Sequence, residues 1–141
     1  LMLNIVPFDR EHIFSIKTRF AFPQEGKIAL ARNEGSPAYT VMDGDEVLAV
    51  GGVTVMWEGV GEAWIIMGES AYTRPYSIAK YSSYLFDHIQ EDYKLHRIQA
   101  SVSIIDETAK RFVNWLGFEV EGIMTKYGPD KSDYFRYARV A

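Results

Sequence analysis

Apolar and polar positions follow two rhythms along this chain, and the rhythm changes at glycine, proline and aspartate. Leu3 to Phe8 reads as a short apolar strand. Asp9 can cap a following helix, on which Ile13, Ile16 and Phe20 recur at helical spacing. Phe22-Pro23 breaks that pattern, and a second helix is predicted from Gln24 to Arg32, stopping near Gly35. Strand signals follow. Ala38 to Met42 leads into Asp43-Gly44-Asp45, a turn in which Gly44 can take positive φ. Val47 to Trp57 is nearly continuous and apolar, and Gly51-Gly52 inside it implies a bulge or a close backbone approach. Glu58-Gly59-Val60-Gly61 turns the chain into a buried strand from Glu62 to Met67.

The longest helical pattern runs from Tyr76 to Tyr93, with Ile78, Tyr81, Leu85 and Ile89 on one stripe. Arg97 to Ile104 alternates, with Ile98, Ala100, Val102 and Ile104 facing one way. Asp106 can cap the next helix, whose stripe is Ala109, Phe112, Val113 and Leu116, and Gly117 is its left-handed stop. Phe118 to Lys126 and Tyr134 to Val140 form a closing hairpin about Tyr127-Gly128-Pro129-Asp130. The order is strand, two helices, three strands, helix, strand, helix, two strands. It predicts one α+β domain over residues 1–141, with a mixed, mostly antiparallel central sheet flanked by helices.

Composition narrows the chemistry. The 141 residues are 48% hydrophobic and 24% charged, which suits a packed core and not a disordered chain. Cysteine is absent, which excludes disulfides, thiolate metal sites and a cysteine nucleophile. His12, His88 and His96 lack metal-ligand spacing, so no metal site is expected. A net charge of -4 argues against phosphate-backbone binding, so no nucleic-acid partner is expected. No apolar run is long enough to span a bilayer, and the first residues lack a secretory pattern. The expected location is the cytoplasm.

Two motifs carry a resemblance. Arg74-Pro75-Tyr76-Ser77-Ile78-Ala79 follows an apolar strand and opens an amphipathic helix. Asp106-Glu107-Thr108-Ala109 runs to Leu116-Gly117-Phe118-Glu119-Val120-Glu121-Gly122. In this order they resemble the GNAT superfamily of N-acetyltransferases, over about Val47 to Val140. The family's loop is similar to Arg/Gln-x-x-Gly-x-Gly/Ala. This chain matches at Arg74 and Ala79 and carries Ser77 where glycine is usual. A narrower resemblance, to GNAT-like proteins of tailed phages and prophages, rests on four segments. They are Trp57-Glu58-Gly59-Val60, Ala63-Trp64, Tyr127-Gly128-Pro129-Asp130 and Tyr137-Ala138-Arg139-Val140. Some members of that group are internal virion proteins, so this resemblance implies a host cytoplasm or a virion as the location.

The resemblance implies acetyl-CoA as co-substrate and a primary amine of unknown identity as acceptor. Backbone N–H groups at Arg74, Tyr76, Ser77, Ile78 and Ala79 would cradle the pyrophosphate, with Arg74 and Lys80 adding charge. The strand ending at Met67 would take the pantetheine arm, and an N–H near Met67 or Gly68 would polarise the thioester. Asp106 stands where the family often has asparagine, and it also reads as a plain N-cap. Glu62 and Glu69 are the candidate bases, and each also reads as a solvated strand-end carboxylate. The family's frequent acid, a tyrosine four residues before the glycine of Leu-Gly-Phe, is here Val113. Tyr127 or Tyr76 could replace it. The alternative reading is a catalytically weak or silent GNAT-like phage protein that binds a protein partner. An exposed strand edge beside the C-terminal strand would suit a homodimer. Trp57, Trp64 and Trp115 read as core or interface anchors, and the three histidines as surface residues. Lys94, His96 and Arg97 read as a solvated patch, and Arg136 and Arg139 as an exposed strand face.

Overall fold

A computed structural model describes residues 3–17 and 35–141. The predicted helix Gln24 to Arg32 and the Phe20 end of the helix before it lie outside the described residues. The elements are β1 (Leu3–Pro7), α1 (Arg10–Ser15), β2 (Ala38–Asp43), β3 (Glu46–Trp57) and β4 (Val60–Met67). A 3-10 helix (Glu69–Thr73), α2 (Pro75–Asp92), β5 (Arg97–Ser103), α3 (Glu107–Trp115), β6 (Glu119–Met124) and β7 (Tyr134–Val140) complete them. The sheet order is β1-β2-β3-β4-β5-β7-β6. β4 and β5 run parallel, and β1–β2, β2–β3, β5–β7 and β6–β7 run antiparallel. The mixed α+β sheet is the one the patterning predicts.

The chain divides into two compact units, Leu1–Thr54 with Trp64–Tyr81, and Val55–Ala63 with Ser82–Ala141. In the first, Ile13 and Ile16 pack on Val50 and Ile66, with Phe8, Val47 and Trp64 closing round them. Asp9 starts α1 as predicted, through a capping box with His12. The helix stops at Ser15, because Ile16 is extended at φ -75° and ψ 133°. His12 is not a surface ring. Its Nδ1 accepts from the Asp9 N–H at 3.1 Å and lies 2.7 Å from the hydroxyl of the fully buried Thr40. An N–H can only donate, so Nδ1 is an acceptor and the ring proton sits on Nε2.

In the second unit Ile98, Ala100 and Val102 of β5 are buried, and their β7 partners Arg139, Tyr137 and Phe135 share that face. Asp87 of α2 reaches Arg139 and Lys110 of α3 lies over Phe135, so the helices cover this face. β5 ends one residue earlier than its alternation suggested, and Ile105 is left 83% exposed in the turn. Gly117 ends α3 at φ 88°, as its position predicts.

The structure narrows three expectations. Of the two readings of the tryptophans, core suits Trp64, which packs edge-on to Phe8, while Trp57 and Trp115 are exposed. Arg97, Arg136 and Arg139 are half-buried and paired rather than free in solvent, because Glu121, Glu62 and Asp87 hold them. Of the two options at Gly51-Gly52 the close approach is present, and the register shift of this sheet region lies between Val41 and Met42. A Cβ on Gly52 would stand 2.3 Å from the Pro37 carbonyl oxygen, which is backbone and cannot yield cheaply. Gly52→Ala should therefore lower stability by about 1–3 kcal/mol in denaturant titration. Gly122→Ala meets nothing within 4 Å, so the same titration should leave it unchanged or raise it by up to about 1 kcal/mol.

Candidate active site

β4 presents its backbone in a fixed phase. The Gly68 N–H donates to the Leu48 carbonyl at 2.7 Å, and the Trp64 carbonyl faces Gly51 of β3. Backbone groups of successive strand residues point to opposite edges. Ile65 and Met67 therefore direct theirs to the edge that β4 does not share with β3. The register of β4 with β5 covers Val60 to Glu62, and β4 continues to Met67. Of the two N–H groups predicted to polarise a carbonyl, Gly68's is engaged by the sheet and Met67's points to the other edge. The absence of a side chain at Gly68 serves the protein's own packing, since a Cβ would lie 3.0 Å from the Leu48 oxygen and 3.2 Å from Ile16.

The segment from Gly68 to Ala79 is more regular than a loop. Glu69 opens the 3-10 helix with its N–H on the Lys17 carbonyl and its side chain exposed. Ala71, fully buried, pins that helix. Arg74 joins it to α2, its N–H on Ala71 and its carbonyl accepting from Ile78 at 3.1 Å. Pro75 takes the first helical position, where its lack of an N–H costs nothing. Ser77 sits in the first turn, where helical N–H groups have no carbonyl one turn back. Ile78 and Ala79 are buried and anchor the turn, and the N–H groups of Arg74 and Ile78 are engaged by the Ala71 and Arg74 carbonyls, so neither can serve the predicted cradle. Tyr76 is 71% exposed and Lys80 is exposed. The Arg74 guanidinium is held 2.8 Å from Asp43, an ion pair whose angle lies outside hydrogen-bond geometry.

The remaining predicted residues belong to the second unit. Glu62 lies opposite Gln99 and takes both its oxygens to Arg136 Nη1, at 3.0 and 2.8 Å. Arg97 forks onto Glu121 and touches Gln99 at 3.0 Å. The hydrogen bond to Glu121 pushes Arg97 up, and the same bond lowers the Glu121 carboxyl. Asp106 accepts from the Ala109 N–H at 3.0 Å, which is the work of an N-cap. Tyr127 is 52% exposed and meets Tyr134 edge-on at 5.3 Å. Val113 is buried among the α3 stripe residues.

Arg136, Asp43 and Tyr134 were not foreseen. Their partners lie 74, 31 and 7 residues away in sequence, and no local period links them. Among the described residues no cluster of His, Asp and Glu could hold a metal. An open depression of about 620 Å³ lies between Asp87, Lys94, His96 and Arg139, and none of its lining residues belongs to the predicted site.

Burial pushes the Tyr134 phenol up, and the nearby Asp130, Tyr127 and Asp106 add to it. Its folded pKa lies above the unfolded value of about 10, so the stability it contributes is present below that pH and is lost as pH rises through the folded pKa. An ultraviolet absorbance titration should show one phenol ionising late, and Tyr134→Phe should remove that step and flatten the alkaline loss of stability.

No protein-family model and no curated protein matches the sequence. Solved structures do match. Ard1 from Thermoplasma volcanium superposes with a TM-score of 0.79 at 15% identity, over 100% of this chain and 99% of that one. A chimera of the spermidine N-acetyltransferase SpeG from Vibrio cholerae and hSSAT gives 0.77 at 14% identity, over 98% and 95%. A GNAT-family acetyltransferase from Bacillus anthracis gives 0.74 at 16% identity, over 98% and 94%. These likenesses extend to the acetyltransferase fold and not to the narrower phage group. The chain has the fold of the GNAT acetyltransferases.

Proposed function

We propose that the protein is an acyl-CoA-dependent N-acetyltransferase that moves an acetyl group from acetyl-CoA to a primary amine. The observation that carries this reading is the start of α2. A strand with one backbone edge turned outward runs into a Pro75-led helix whose first turn offers N–H groups, within a fold shared with acetyltransferases along its whole length. Helix N-termini favour anions through these groups and the helix dipole.

In this reading the start of the first turn, at Tyr76 and Ser77, takes the pyrophosphate, and Ile78 and Ala79 hold the turn in place. The Ser77 hydroxyl is small enough to leave the approach open and can donate to a phosphate oxygen. Lys80 adds charge from the exposed side. Arg74 serves mainly by fixing the helix start against Asp43. The outward edge at Ile65 and Met67 takes the pantetheine arm as an added strand does, and the Met67 N–H faces the thioester oxygen. Asp106 remains an N-cap.

The acceptor amine must be neutral to attack, and its unperturbed pKa is about 10.4, so a base assists. Glu62 fits this better than Glu69, because Arg136 orients its carboxylate while Glu69 stands in solvent. The amine nitrogen bonds to the thioester carbon and its proton passes to the base. The C–S bond then breaks, and the thiolate takes a proton from solvent or a phenol such as Tyr127.

Acetyl-CoA at about 100 times its Kd should stabilise the fold by about 2.7 kcal/mol, read as a rise in melting temperature. No rise at millimolar concentration would sink the proposal. Ser77→Tyr should abolish the rise by filling the first turn; a rise that persists would show the pyrophosphate sits elsewhere. With an accepted amine, Glu62→Gln should cut thiol release by about 10²- to 10⁴-fold while leaving the acetyl-CoA melting shift intact. Equal turnover in Glu62→Gln and the parent would remove Glu62 from the mechanism.

A further inference from the structure

β6 closes the sheet order, so among the described residues one of its two backbone edges has no strand beside it. Glu119 to Ile123 are all exposed, Val120 to 56% and Ile123 to 63%. An edge of this kind is a template for another strand.

Its details are self-complementary. Residues three apart in a regular strand point to opposite faces. Here the register with β7 shifts between Val120 and Gly122, so Val120 lies opposite Tyr137 and Ile123 opposite Phe135. Tyr137 and Phe135 share a face, with their rings 6.1 Å apart. The bulge thus returns Val120 and Ile123 to one face. Glu121 turns to the other face, where Arg97 binds both its oxygens at 2.9 and 2.6 Å. That pairing holds the Glu121 carboxyl below the usual range and neutralises the charge at the middle of the edge.

We propose that β6 pairs antiparallel with β6 of a second copy, about a twofold axis between Glu121 and Gly122. This register sets Val120 of each copy against Ile123 of the other. It sets Glu121 against Gly122, which has no side chain to clash, and Glu119 against Met124. Residues opposite one another in a pair share a face, and an odd register such as this one meets that condition only because of the bulge. The contact is isologous and closes at two copies. No like charges stand directly opposite, and each Glu121 keeps its own Arg97.

Bulges and inward-held charges also keep edges single, and mass against concentration separates the two outcomes. Sedimentation of the full chain from about 5 to about 200 μM should show the mass doubling by mass action. Val120→Lys and Ile123→Asp each place a charge opposite an apolar side chain, and each alone should hold the chain at monomer mass. Combined, they set the introduced lysine opposite the introduced aspartate at both positions and should restore the dimer. Melting temperatures near the parent's would show that these exposed substitutions leave the fold intact.

A second measurement uses the absence of cysteine from the chain. A mixture of Val120→Cys and Ile123→Cys chains should form a disulfide-linked pair on mild oxidation faster than either alone, since only the mixed pair is in direct opposition. A parent that stays monomeric at the highest concentration would leave this edge to water or to another protein's strand and overturn the proposal. So would dimers that survive both single charges, a double variant that stays monomeric, or cysteine pairs that link no faster when mixed.

Discussion

The 2.7 Å bond from the Gly68 N–H to the Leu48 carbonyl fixes the phase of β4. A strand's donors and acceptors alternate between its edges, so one bond at the end of β4 assigns every residue before it. Gly68, Ile66 and Trp64 serve β3; Met67 and Ile65 serve the other edge. Glycine suits that bond at this length, because a Cβ would meet the same carbonyl at 3.0 Å and the two strands would have to give. The chain then enters the 3-10 helix, pinned by Ala71, and leaves it through Arg74. Since Arg74 accepts the first hydrogen bond of α2 and Pro75 sets its first φ, the position of the helix start follows from the end of β4. The proposed donor site is thus mostly backbone, and its side chains chiefly hold that backbone still.

Charge in the second unit has a different logic. The β5 face bearing Ile98, Ala100 and Val102 lies under helices and is apolar. The opposite face bears Arg97, Gln99, Ser101 and Ser103, joined by Arg136, Glu62 and Glu121 from neighbouring strands. Half-buried charges are tolerable only when paired, and here each has a partner. An ammonium group arriving at Glu62 would offer the same charge that Arg136 already offers. Under the proposed chemistry, the acceptor therefore competes with an internal cation, and Arg136 sets how firmly an amine must bind to gain the carboxylate.

The regular parts of this fold were legible because they depend on near neighbours. Asp9 and Asp106 lie within three residues of the N–H groups they cap, Gly44 and Gly117 carry their own positive φ, and β5 alternates by itself. What was not legible depends on distant pairing. Arg136 and Arg139 look like an exposed basic strand until β7 is set between β5 and β6, where each finds an acid. Trp57 and Trp115 have the chemistry of core residues, but they stand at the end of a strand and of a helix, where little covers them. The bulge in β6 leaves no local mark except Gly122, and the 3-10 helix is too short to show a period. The motif from Arg74 to Ala79 was legible as a segment, yet its division into a cap and a helical turn needed the bonds to Ala71 and Ile78.

Val113 bears on how much chemistry this arrangement retains. A tyrosine at that place would protonate a departing thiolate, and a buried valine cannot. General acids matter most when the leaving group is strongly basic, and a thiol has an unperturbed pKa of about 8.5. A thiolate can therefore depart near neutral pH and take its proton afterwards from water or from a phenol. Under the proposed chemistry, valine at this place would slow the reaction without closing it. Ser77 acts at the other level. It stands in the turn proposed to receive the phosphates, so the size of its side chain governs whether the donor binds at all. Binding and turnover thus rest on separate residues, and a change at one need not carry over to the other.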